Sequence, residues 1–186
     1  MRFAPWFRPS AIEADAHRLY GRLVEQARAP GFYGAGGVPD SLDGRYEMVV
    51  LHVFLALRRL KREGAAAGAR AQALFDAMFA DMDRSLREIG VGDLSVGKRV
   101  KEMARGLYGR IAAYEAGLER PDDDALEQAL KRNVYGTVAT PAAPAPARLA
   151  RYVRAAAASF EALPVAALDG DAALPWPALP RAAEAP

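Results

Sequence analysis

The run Met48-Val49-Val50-Leu51-His52-Val53-Phe54-Leu55-Ala56-Leu57 decides how this chain folds. Wound as a helix it is apolar nearly all round, which suits a central element covered by neighbours on every side. Arg58, Arg59, Lys61 and Arg62 follow it, and cations there complement the negative pole of a helix running from about residue 43 to 62. The run is well short of the roughly 20 apolar residues that a membrane-spanning helix needs. It is therefore read as a buried core helix, and no transmembrane segment is expected.

The flanking sequence supplies the shell. Upstream, Ser10 with Glu13 three residues later has the form of a capping box. The helix that follows to about Arg28 places Ile12, Ala16, Leu19, Leu23 and Ala27 on one face. Pro30, Gly31, Gly34, Gly36, Gly37 and Pro39 then mark a long loop, with Phe32 and Tyr33 folded under it. Downstream, Gly64 and Gly68 bracket an alanine-rich connection. A third helix to about Ile89 turns Leu74, Phe75, Met78, Phe79, Met82, Leu86 and Ile89 inward, and Gly90 sits where a C-cap glycine belongs.

Ser95 is read as the N-cap of a fourth helix. Its Val96, Val100, Met103, Leu107, Ile111, Tyr114 and Leu118 recur with 4-3-4-4-3-4 spacing, and Pro121 ends it. Asp122, Asp123 and Asp124 favour the start of a short helix over about 123–135. Residues 140–146 read as a Pro/Ala linker and 147–163 as a further helix. From Pro164 the prolines and alanines leave little to bury, so 164–186 is predicted to be disordered. The expected fold is all-α, a single compact domain of about five to six helices. Its divisions are a flexible N-terminus at 1–9, the helical domain at 10–136, linker and helix at 137–163, and the tail at 164–186.

Composition removes whole classes of function. With no cysteine in 186 residues, thiol catalysis, iron–sulfur clusters and thiolate zinc sites are excluded. A net charge of +2 gives too weak a global field to argue for nucleic-acid binding, and no specific DNA binding is expected. His17 and His52 have no neighbours at metal-ligand spacing, and His52 reads as a hydrogen-bonded core residue. Asp81 and Asp83, two apart on a helix, point to different sides and lack a calcium-loop pattern. No nucleophile, base and orienter stand together in the sequence. The expectation is no metal, no cofactor and no enzymatic activity.

Gly92-Asp93-Leu94-Ser95-Val96-Gly97-Lys98-Arg99 matches a phosphate-binding P-loop except at its last position, where Arg99 replaces the Ser or Thr that would hold magnesium. The segment before it is helical by its period, whereas a P-loop follows a strand. The octapeptide thus reads as a tight connection between helices, although amides at the fourth helix's start can hold an anion. Arg58, Arg59, Lys61 and Arg62, with Lys98, Arg99, Lys101, Arg105 and Arg110 on the outer side of the fourth helix, form either a solvated face or a basic strip for anionic lipid, RNA or an acidic protein. At the N-terminus, Phe3, Trp6 and Phe7 beside Arg2 and Arg8 suit either a frayed end or a membrane surface. No apolar stretch there has the form of a signal peptide.

The wording of the third and fourth helices adds a resemblance. The segments Ala71-Gln72-Ala73-Leu74-Phe75-Asp76, Phe79-Ala80-Asp81-Met82-Asp83-Arg84-Ser85-Leu86-Arg87-Glu88-Ile89-Gly90-Val91-Gly92-Asp93-Leu94 and Val96-Gly97-Lys98-Arg99-Val100-Lys101 resemble the ubiquinol-cytochrome c chaperone family, bacterial relatives of the mitochondrial assembly factor for cytochrome b. Leu19-Tyr20, Ala29-Pro30-Gly31-Phe32-Tyr33 and the stretch from Pro39 to Met48 agree with it. The resemblance covers about residues 17–120.

It implies a helical, non-enzymatic chaperone that holds newly made cytochrome b during assembly of the respiratory ubiquinol:cytochrome c oxidoreductase, at the cytoplasmic face of the inner membrane. It also implies, as further partners, a small protein and the ribosome. Within the matched stretch, Asp81, Asp83, Arg84, Asp93, Lys98 and Arg99 are the residues expected to contact a partner, because charges beside a glycine connection do little for packing yet can fix the register of a docked chain. Met48, Met78, Met82 and Met103, with Phe75 and Phe79, offer adaptable apolar surface or else form core. The rival readings are a small domain holding an anionic ligand near Lys98 and Arg99, and a module that docks on RNA or the ribosome.

Overall fold

Ser10 Oγ accepts the Glu13 amide at 3.2 Å while the Glu13 carboxylate accepts the Ser10 amide at 2.7 Å. This reciprocal cap satisfies donors that the first helical turn leaves over, and it starts helix α1, Ala11–Ala27. The computed structural model describes residues 10–34, 37–138, 141 and 144–179. Within them α1 is followed by α2 (Pro30–Tyr33), α3 (Leu42–Lys61), α4 (Gly68–Glu88), α5 (Asp93–Glu119), α6 (Asp124–Asn133) and α7 (Ala145–Glu161), with single 3-10 turns at Gly64–Ala67 and Val165–Leu168. No strand occurs among the described residues. The all-helical class expected from the sequence is the observed one.

Every residue from Met48 to Leu57 is buried, so α3 is the central helix. It packs against α1, α4 and α7, and the Phe54 and Tyr114 rings, 5.5 Å apart, bring α5 against it. Removing each such Val, Leu or Phe side chain from water contributes about 1.5–3 kcal/mol. α7 belongs to the same core, since its Tyr152, Val153, Ala156 and Phe160 are buried. It begins at Ala145, earlier than expected, because Pro146 lies in the first turn, where its fixed φ is tolerated.

Two glycines shape the α4 to α6 region. Gly90 has φ of 85° and ends α4 in a Schellman motif, with its own amide bonded to Arg87 O and the Val91 amide to Leu86 O. Gly117 allows α5 and α6 to meet closely: a Cβ there would lie 2.7 Å from the Leu126 Cα. The start of α5 differs from expectation. Gly92, not Ser95, is the cap, and Asp93 opens the helix where a carboxylate favours the positive end of the dipole.

Two expectations from composition are corrected. Residues 164–179 of the supposed tail dock on the domain: Leu168 and Leu174 are buried, and the Trp176 ring sits 4.8 Å from Phe160 and 5.0 Å from His52. Arg22 donates to the carbonyls of Leu168 and Ala172, Arg70 pairs with Asp169 at 2.9 Å, and Asp15 accepts the Gly170 amide at 3.1 Å. Prolines stop helices, but they do not prevent a strap whose few apolar residues each reach a site. Residues 180–186, and the N-terminus at 1–9 with its membrane reading, lie outside the described residues.

The cations ending α3 are a solvated strip only in part, since Lys61 and Arg62 are exposed but Arg58 and Arg59 are not. Arg58 pairs with Glu115 and Glu161, and Arg59, only 8% exposed, donates to Leu163 O at 2.9 Å. Arg110 likewise turns inward, onto Glu47.

Candidate functional site

Met82, Leu86 and Ile89 continue the inward seam of α4 to its last turn, yet Ile89 is 61% exposed. The seam runs out over a groove of about 670 Å3 between α1, α3, α4 and α5. Val49, Met82, Leu86 and Met103 give it an apolar lining, and Leu42 on α3, 70% exposed, stands with Ile89 at its edge. Two unsheathed aliphatic side chains and two methionines around one concavity form a surface that adapts to varied apolar partners.

Under this lining lies the ion pair of Glu47 and Arg110. The Arg110 Nε donates to Glu47 Oε2 at 2.7 Å, and Nη2 donates to Oε1. Glu47 is only 5% exposed, and burial pushes its carboxyl above the ordinary range against the pull of the two Arg110 bonds. The Arg110 guanidinium also lies 5.8 Å from the centre of the Tyr46 ring. Among the described residues the buried Tyr46 hydroxyl has no hydrogen-bond partner, and burial pushes its pKa up to about 12. It is a donor left over in the groove's own wall.

The groove carries mixed charge. Asp81 accepts the Tyr20 hydroxyl at 2.9 Å, which ties α4 to α1, and Arg45 is held by Asp40 at 2.6 Å. Among the described residues, Arg28 and Arg99 form no ion pair, so two cations of the lining remain available to an acidic or carbonyl-bearing occupant.

The six residues singled out from the sequence separate in space. Asp81 and Arg99 line the groove, and the exposed Arg84 stands beside Asp81 at 4.0 Å. Asp83 and Asp93 are both bonded to Arg87, at 2.7 Å for Asp83, so they pin α4 to the start of α5. Lys98 is exposed and does not line the groove. Sequence reasoning missed Leu42, Tyr46, Glu47 and Arg28. A carboxylate one residue before the apolar run was a readable signal that Glu47 needs a buried partner. Nothing in the sequence showed that the partner is Arg110.

The P-loop likeness has no structural counterpart, because a helix and its Schellman turn precede Gly92 and the remaining positions from Asp93 to Arg99 are helical. His17 is exposed on α1 and His52 is fully buried beneath Trp176. Among the described residues no group of three or more His, Cys, Asp or Glu side chains comes together to hold a metal, and no helix is long and apolar enough to cross a membrane.

Comparison with known proteins gives one consistent set of likenesses. The family model described as ubiquinol-cytochrome C chaperone matches residues 35–173, which takes in α3 to α7 and the start of the strap. A Xenopus laevis protein named ubiquinol-cytochrome-c reductase complex assembly factor 1 is 28% identical over 123 residues, 66% of this chain and 61% of the relative. The Mus musculus protein of that name is 26% identical over 135 residues, 73% of this chain and 44% of the relative. The chain thus spans about half the length of these relatives. A solved structure, the Cbp3 homolog from Brucella abortus, superposes with a TM-score of 0.75 at 43% identity and covers 85% of this chain and 86% of that one.

Proposed function

Because the chain belongs to the ubiquinol-cytochrome C chaperone family, we propose that it is a non-enzymatic assembly factor for the respiratory ubiquinol:cytochrome c oxidoreductase, and that its client is newly made cytochrome b. The observation that carries the client reading is the groove between α1, α3, α4 and α5, where an apolar lining is edged by exposed Leu42 and Ile89 and by the uncommitted cations Arg28 and Arg99. Such a surface suits an amphipathic segment of an unassembled membrane protein: its apolar side replaces lipid contacts and its polar side finds the cations. Holding needs no reacting group.

A helical domain of this kind meets a membrane client at the bilayer surface or during synthesis. The proposed location is therefore peripheral, at the cytoplasmic face of the inner membrane, with the ribosome or a small partner protein as further contacts. The test is crosslinking and affinity purification of the tagged full chain from its own cells, with cytochrome b quantified. Enrichment is expected for the wild type and loss for an Arg99→Glu/Met103→Asp variant of unchanged helicity. No enrichment with wild type during active assembly would sink the client reading; equal enrichment with the variant would sink the groove.

A further inference from the structure

Lys98, Lys101 and Arg105 recur at helical spacing along the solvent side of α5, and Tyr108, 64% exposed, completes the stripe. The neighbouring cations are committed to the fold, Arg58 to Glu115 and Glu161, Arg62 to Glu161 at 2.8 Å, and Arg87 to Asp83 and Asp93. Among the described residues the three stripe cations take part in no ion pair. They are left for an anion outside the protein.

Tyr108 also stands at a second, apolar cleft. Its ring stacks on Phe75, 5.9 Å between centroids and 27° between planes. The cleft, of about 210 Å3, is walled by Phe54, Leu57, Ala71, Phe75 and Ile111; its one carboxylate, Glu115, is neutralised by Arg58 at 3.1 Å, and Lys61 lies exposed at it without an ion pair among the described residues. Cations thus run along and beside exposed hydrocarbon on one face.

We propose that this outer face of α5 docks on an anionic phospholipid bilayer. Each lysine or arginine gains from the negative surface potential, the tyrosine ring suits the headgroup level, and the cleft accepts hydrocarbon from the acyl boundary. RNA satisfies the cations equally well but brings no hydrocarbon to fill a cleft walled by Phe, Leu, Ala and Ile. The opposite flank of α5 presents Arg99 and Met103 to the groove, so a molecule lying on this face holds the groove beside the membrane. The inference stands on α5 itself and does not depend on the client.

The experiment is co-sedimentation of the full chain with vesicles of phosphatidylcholine alone and of phosphatidylcholine with phosphatidylglycerol, no client being present. The wild type is expected to partition onto the anionic vesicles only, less so as salt rises. A Lys98→Glu/Lys101→Glu/Arg105→Glu variant is expected to partition at least about 100-fold more weakly. Circular dichroism checks that its helicity is unchanged, and the milder Lys98→Gln/Lys101→Gln/Arg105→Gln variant gives the same ordering should the first unfold. Failure of the wild type to bind anionic vesicles at low salt, or equal binding by folded variants, overturns the proposal. Tight binding of a ribosomal RNA fragment under conditions where vesicles stay free overturns it in favour of nucleic acid. Either failure leaves client capture, measured separately, untouched.

Discussion

The Tyr152 hydroxyl meets Nε2 of His52 at 2.9 Å, joining residues 100 positions apart. Nδ1 of the same ring lies 2.7 Å from Met48 O, which can only accept, so Nδ1 carries the proton and Nε2 accepts from Tyr152. Gln26 in turn donates to the Tyr152 oxygen at 3.2 Å. The neutral ring is satisfied on both sides, and a positive charge there would be cut off from water. Burial accordingly lowers the His52 pKa from 6.5 to about 4.

This depression makes stability depend on pH. The unfolded chain takes up a proton at His52 below about pH 6.5 and the folded one only near pH 4, so the contribution is complete above pH 6.5 and is lost as pH falls toward 4. Glu47, whose pKa burial raises above 4.5, pushes the opposite way, so the informative quantity is a difference between proteins. The stability advantage of wild type over His52→Gln is expected to shrink by about 3 kcal/mol between neutral pH and the acid limit. Urea unfolding across that range measures it, and a constant difference would show that His52 does not titrate this way.

Removing Glu47 strands Arg110. Glu47→Leu, and likewise Arg110→Met, is expected to cost about 3 kcal/mol alone, whereas Glu47→Leu/Arg110→Met should recover most of it because no charge is then left without its partner. Chemical denaturation of the two single variants and the double gives the coupling. Simple addition of the single losses would show that the pair is not acting as a pair.

The docked strap predicts a cost at its one tryptophan. Trp176→Ala is expected to lose about 2 kcal/mol, less than for a fully buried Trp, because Trp176 is only partly covered. That corresponds to a fall in Tm of about 6 °C. An unchanged melting temperature would mean that the contacts with His52 and Phe160 are not maintained in solution.

Two glycines of α5 should respond in opposite directions to the same substitution. A Cβ at Gly109 meets nothing within 4 Å, so Gly109→Ala is expected to gain up to about 1 kcal/mol of helix propensity. At Gly117 the backbone of α6 is in the way, and separating the helices costs roughly 1–3 kcal/mol, enough to reverse the sign for Gly117→Ala. Thermal melts of the two variants side by side decide it.

Adjacent residues on α5 should separate two functions. Arg99 lines the groove and Lys98 does not, so Arg99→Glu is expected to reduce cytochrome b capture several-fold while Lys98→Glu leaves it near wild type. Lys98→Glu should instead weaken partitioning onto anionic vesicles, by about 10-fold or somewhat more. Equal effects of both variants in both assays would mean that α5 presents one surface rather than two.

Local rules made much of this fold legible. The Ser10 and Glu13 cap, the burial of Met48 to Leu57 and the Gly90 terminator all follow from interactions within a few residues, and each stands where the sequence placed it. The strap was not legible, because Leu168, Leu174 and Trp176 have no period of their own and are stabilised by Phe160, His52 and Arg22 from elsewhere. The basic residues misled for a similar reason: composition counts Arg58, Arg59, Arg99 and Arg110 alike, and only distance distinguishes a clamp from an uncommitted cation.

The sequence by itself determined that this is a helical chain built round one apolar helix, and its wording pointed to the family, because periodicity, caps and motif identity are local properties. Only the tertiary structure decided which charges are already spoken for and where hydrocarbon is left uncovered. Glu47 meets Arg110 from 63 positions away, and Asp81 meets Tyr20 from 61. Pairing falls off within a few ångströms, so it depends on how helices are laid side by side. The groove and the outer face of α5 are what remains open once those pairs have formed.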